Sequence, residues 1–103
     1  MKESELLKKA ISHYENKDGK KWVVWKAPAF AQHRWDIFTI YDLVAVSEEG
    51  AVHFIQVTTK PNLSARRKKI QAFFIANALI IPHSYIFAWD NRLEYFKISE
   101  ILL

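Results

Sequence analysis

The stretch from residue 37 to residue 58 constrains the fold more than any other part of the chain. Residues 37–46 and 51–58 are rich in β-branched and aromatic side chains, and Ser47-Glu48-Glu49-Gly50 between them has the composition of a turn, so the segment predicts a β-hairpin. If the turn closes symmetrically about Glu49, paired positions keep a constant sum of residue numbers, and Asp42 falls opposite Gln56. Ile40 and Thr58 form the next pair on that face, which continues through Val44, Val46, Val52 and Phe54. The other face carries Tyr41, Leu43, Ala45, Ile55 and Val57, so both faces are apolar and both are expected to be covered. Asp42 and Gln56 then form a polar spot on an apolar surface. A buried, unsatisfied carboxylate is costly, so Asp42 requires a cation, a hydrogen-bond donor or an opening to solvent.

The remaining elements follow from periodicity. Leu6, Leu7, Ala10, Ile11 and Tyr14 recur at helical spacing with Lys8, Lys9, Ser12 and His13 on the other side, which predicts an amphipathic first helix stopped at Lys17-Asp18-Gly19-Lys20. Trp22-Val23-Val24-Trp25 has strand composition, Pro28 interrupts it, and residues 29–35 have no clean period and read as a loop or bend. A second helix is expected from near Ser64, whose hydroxyl is placed to cap it, with Ile70, Phe73, Phe74 and Ala78 on its buried side. Pro82 ends that run. Residues 85–89 and 93–98 read as strands joined by a turn at Asp90-Asn91. The predicted order is helix, three strands, helix, two strands, an α/β (α+β) fold in a single domain over residues 1–103.

Fifteen Lys and Arg against eleven Asp and Glu give a net charge of +4, which favours an anionic partner such as nucleic acid. The absence of cysteine excludes disulfides, thiolate metal sites and a cysteine nucleophile. A charged beginning and apolar runs far shorter than the ~20 residues of a membrane span predict a soluble, cytoplasmic protein with no membrane partner. The four histidines show no metal-ligand spacing.

An acidic residue in the first helix, D-L-V-A-V at 42–46, I-Q-V-T-T-K at 55–60 and then a basic helix together resemble the PD-(D/E)XK nuclease superfamily, which includes restriction endonucleases and archaeal Holliday-junction resolvases. The resemblance implies a mixed sheet flanked by helices in the order αβββαβ over nearly the whole chain. It also implies metal-dependent hydrolysis of DNA phosphodiesters, with Mg²⁺ or Mn²⁺ activating water and neutralising charge on the phosphate. By the same resemblance Asp42 is the metal-binding carboxylate and Gln56 stands where the family usually has Asp or Glu. The Val57 carbonyl and Glu5, with Glu3 close beside it, are further ligands. Restriction enzymes and resolvases of this kind act as two-fold dimers, so a homodimer is expected.

The chain departs from the family at Thr58, where an active member carries a lysine. Lys60, two residues further along the same face, or Lys68 or Lys69 from the second helix, would supply a displaced one. Arg66, Arg67, Lys68 and Lys69, together with Arg34, are the candidate nucleic-acid contacts. Of the tryptophans, Trp35 beside Arg34 is the one expected to meet a ligand, and the others to fill the core. The alternatives are a non-catalytic nucleic-acid-binding module on a decayed nuclease core and a protein-binding or structural role.

Overall fold

Alternation of side chains along the strands decides which helix covers which face of the sheet. The computed structural model describes residues 2–27, 29–30, 33–34 and 40–102, with the backbone alone for 29–30 and 33–34. Helix α1 (Glu3–His13) precedes strand β1 (Trp22–Lys26), a short ribbon of β2 (Ala29–Phe30) and β3 (His33–Arg34), and the hairpin β4 (Leu43–Ser47) and β5 (Val52–Thr59). Helix α2 (Leu63–Ala76) and strands β6 (Ser84–Asp90) and β7 (Tyr95–Glu100) complete the chain. The five long strands form one mixed sheet in the order β1-β4-β5-β6-β7. The β5–β6 pair is parallel and is joined through α2, whereas every other neighbour is antiparallel.

Leu6, Leu7, Ala10 and Tyr14 of α1 pack with Leu43, Ala45, Ile55, Val57, Phe87 and Trp89 on one face. Ile70 and Phe74 of α2 pack with Ile40, Tyr41, Ile86, Ala88 and Ile101 on the other, joined by Phe54 and Leu63. The apolar stripe of α1 is therefore the predicted one. Residues 35–39 lie outside the described residues, and with them the predicted strand start at Ile37 and the expected ligand contact of Trp35. Pro28 lies outside them too.

Several local expectations are corrected. The predicted loop at 29–35 holds the β2–β3 ribbon, paired Ala29↔Arg34 and Phe30↔His33. Ser64 lies inside α2 and is exposed, and the cap position is Asn62, which makes no side-chain capping bond. Ala78 lies beyond the end of the helix with a φ of 51° and is exposed. Tyr41 packs on the α2 side, because the chain bends at Asp42 before β4 begins, and its hydroxyl meets that of buried Ser84. Left-handed backbone recurs at Asn16, Asp18, His83 and Glu94 as well as at Gly19 and Gly50.

At the far end of the α1 side, the Tyr14 hydroxyl and His53 Nδ1 share a hydrogen bond of 3.0 Å, and His53 also packs against Trp22, Tyr85 and His83. Burial, then the neighbouring His83 and Lys17, lower the pKa of His53 against the opposing pull of Asp18 and Glu100. Burial and Lys17 likewise lower that of His13. A base with a depressed folded pKa takes up its proton more readily when unfolded, so this contribution is complete above about pH 6.5 and is lost as pH falls through that value. Melting temperature followed by circular dichroism is therefore expected to drop between pH 7 and pH 5, and to drop less in His53→Gln. An equal fall in both proteins would place the acid sensitivity elsewhere.

Candidate metal and nucleic-acid site

The hairpin closes in the predicted register, with Leu43↔Ile55 and Val44↔Phe54 and the same constant sum. Asp42 lies one residue before β4, held by bonds from its own N–H to the Ile55 carbonyl and from Ala27 N–H to its carbonyl, both 2.9 Å. Its side chain is buried, with 4% of the residue exposed, beside Gln56 at 6%. Asp42 Oδ2 accepts a 2.7 Å bond from the Val57 N–H and a 3.0 Å bond from Gln56 Nε2. The same Nε2 lies 3.3 Å from the Val57 carbonyl oxygen. A carboxylate, an amide and a main-chain carbonyl thus converge around one donor nitrogen. The requirement for a satisfied carboxylate is met by donors from the facing strand.

The positions named as metal ligands divide accordingly. Asp42, Gln56 and Val57 come together. Glu5 is exposed on the first turn of α1. That helix runs antiparallel to β5, since Lys9 Nζ lies 5.2 Å from the Trp89 ring near one end and Tyr14 meets His53 at the other. The start of α1, and Glu5 with it, therefore lies toward the Thr59 end of β5, while α1 packs on the face of Val57 rather than that of Gln56. Among the described residues no three His, Asp or Glu side chains gather to hold a metal. The donors present are hard oxygens of the kind Mg²⁺ takes, a fit limited to one carboxylate, one amide oxygen and one carbonyl, with water and phosphate completing the shell. Turning the Gln56 amide over would present Oε1 where Nε2 now bridges two oxygens, an exchange that a cation would favour.

Thr58, where the resemblance expects a lysine, is buried. Lys60 does not continue the strand. The chain turns into a 3-10 segment at Lys60–Asn62, and Lys60 Nζ pairs with Asp90 Oδ2 at 3.2 Å. Asp90 is the cap of its own turn, Oδ1 accepting from the N–H groups of Arg92 and Leu93 at 3.0 and 3.1 Å. Those backbone bonds, with help from Lys60, hold its carboxyl below the usual range against the effect of desolvation. The pair lies in a cavity of about 700 Å³ bordered by Thr59, Trp89, Asn91 and Arg92, at the carboxyl ends of the parallel strands.

On α2 the spacing separates the four basic residues. Leu63, Ile70 and Phe74 define the sheet-facing stripe, and Arg66 and Arg67 fall on it, half-buried, one turn before Ile70. Lys68 and Lys69 are exposed. The four-residue run predicted a patch but not its division, which the i, i+3, i+4 spacing from Leu63 to Ile70 would have supplied. Arg34 lies in β3, and its side chain is outside the described residues. No protein-family model, curated protein or solved structure matches this chain.

Proposed function

We propose that this chain is a metal-dependent nuclease acting on DNA, built on a restriction-endonuclease-like core. The observation that carries the proposal is the convergence of the Asp42 carboxylate and the Val57 carbonyl on the Gln56 amide, whose Nε2 donates to them at 3.0 and 3.3 Å, with the Val57 N–H donating to the same carboxylate oxygen at 2.7 Å. The element order supports it too, an antiparallel β1-β4-β5 run followed by a helical crossover to parallel β6. Asp42, Gln56 and Val57 would hold Mg²⁺ or Mn²⁺, which supplies an activated water and charge neutralisation at the phosphate. Arg66 and Arg67 set positive charge on the side of the sheet that carries Gln56 and bind the phosphate backbone there. Lys68 and Lys69 extend that charge outward. A two-fold dimer and a cytoplasmic setting belong to the same proposal; no described helix is long and apolar enough to cross a membrane.

A second function has its own support. Thr58 stands where the resemblance expects a lysine, and Lys60 is paired with Asp90, as in a module that binds nucleic acid without cutting it. The deciding experiment is cleavage of labelled linear, branched and single-stranded DNA with Mg²⁺ or Mn²⁺, with chelator and Asp42→Asn as controls. Cutting that requires metal and disappears in Asp42→Asn establishes the nuclease. Salt-sensitive binding without cutting in either protein transfers the assignment to the binding module. Neither binding nor cutting removes nucleic acid as the partner.

A further inference from the structure

Strand β1 is an edge strand, and its two tryptophans point to opposite faces of the sheet. Trp22 faces α1, where it packs 5.0 Å from Tyr14 and 4.8 Å from His53 and donates from Nε1 to the Lys17 carbonyl. Trp25, three residues on, faces the other way and is 52% exposed, alongside Val23 and Val46, which are exposed as well. Register pairs Val23 with Val46 and Trp25 with Val44. That is the face of Phe54 and Gln56, and so of the Asp42–Gln56 bond. Helix α2 packs over β5 and β6 through Phe54, Ile86 and Ala88, and among the described residues the apolar cluster of this face includes no residue of β1 or β4, α1 lying on the opposite face. One strand spacing and two residues of rise separate the backbone at Trp25 from that at Asp42, about 8 Å.

We infer that Trp25 is a stacking platform for an unpaired base, so that the substrate of the Asp42–Gln56 site is nucleic acid with single-stranded character. The inference rests on the nuclease or binding-module reading above and names the substrate class for it. A half-exposed indole beside a site for phosphate suits the holding of single strands, because stacking needs no pairing partner and the rings of a duplex interior are inaccessible. The charge around it suits a polyanion. Exposed Lys21 immediately precedes β1, Lys26 ends it with its side chain on the other face by alternation, and Arg66 and Arg67 lie on α2, which packs on the same face of the sheet as Trp25. Exposed lysines on an edge strand also oppose strand-to-strand pairing with a second protein chain. Among the described tryptophans Trp25 alone has this openness, since Trp22 is partly covered and Trp89 is buried.

The test is fluorescence-anisotropy titration of the full chain, in chelator so that nothing is cut, with a labelled mixed-sequence 16-mer and with its blunt duplex. Single-strand affinity is expected to fall about tenfold or more in Trp25→Ala and less than about threefold in Trp25→Phe, which keeps a ring, while duplex affinity stays within about twofold. Circular dichroism checks that both variants fold. Unchanged single-strand binding in Trp25→Ala, or an equal loss on the duplex, overturns the stacking role and leaves the nuclease proposal standing. A wild-type chain that binds neither probe overturns both.

Discussion

Asp42→Ala is expected to lower the free energy of unfolding by about 2–4 kcal/mol, since removing a buried acceptor strands the donors that used it at roughly 1–3 kcal/mol each. Two donors depend on the one oxygen, the Val57 N–H and Gln56 Nε2. Gln56 retains the Val57 carbonyl as a weaker partner at 3.3 Å, which keeps the loss below the full sum. Asp42→Asn separates structure from chemistry, because an amide oxygen can still accept from Val57 while the negative charge is gone. Urea titration should therefore place Asp42→Asn closer to wild type than Asp42→Ala, with cation-dependent activity absent from both. If Asp42→Ala proved as stable as wild type, the carboxylate would not be the acceptor on which the Val57 N–H and Gln56 Nε2 depend.

Phe74→Ala is expected to cost about 3–5 kcal/mol, the range for emptying an aromatic position in a packed core. Phe74 is fully buried between α2 and the sheet, in contact with the cluster of Ile70, Tyr41, Ile86 and Ile101. For a domain of this size the melting temperature should fall by roughly 12 °C or more. The same residue anchors the helix that carries Arg66 and Arg67, so salt-dependent binding should weaken even where the variant remains folded. A shift of only a few degrees by calorimetry would mean that α2 is not held through this side chain. Ile75, next in sequence and exposed, is the matched control, and Ile75→Ala should leave stability within about 0.5 kcal/mol.

The hairpin register was legible because the Ser47-Glu48-Glu49-Gly50 turn closes symmetrically about Glu49, and the turn of a hairpin fixes the sum of every paired residue number along it. Asp42 opposite Gln56 followed from that register alone. Tyr41 did not, because strand alternation ends where the chain bends, and nothing in the residue types announces the bend at Asp42. Lys60 was placed by extending β5, which stops at Thr59, just before Pro61. The proline was visible in the sequence and marked the break. Asp90 drew Lys60 away, a partner thirty positions on that no local pattern connects to it. Trp25 looked like core because its neighbours are apolar. Its exposure depends on which half of the sheet α2 covers, and that is a property of the crossover from β5 to β6 rather than of β1 itself.

The left-handed turns have a consequence for how such variants can be studied. Asn16 and Asp18 adopt that conformation readily, but Ala78, His83 and Glu94 also do so, with φ of 51–54°, and for side chains of this kind the strain is on the order of 1 kcal/mol each. The chain has only two glycines, Gly19 and Gly50, both at positive φ. Three strained positions in turns therefore stand as unused reserve. Glycine at 78 and 94 would relieve strain without entering either core, although part of the gain is returned to the greater freedom of the unfolded chain. A background built this way would offset part of the cost of losing Asp42, so that a variant that is folded but inactive could be told from one that is unfolded.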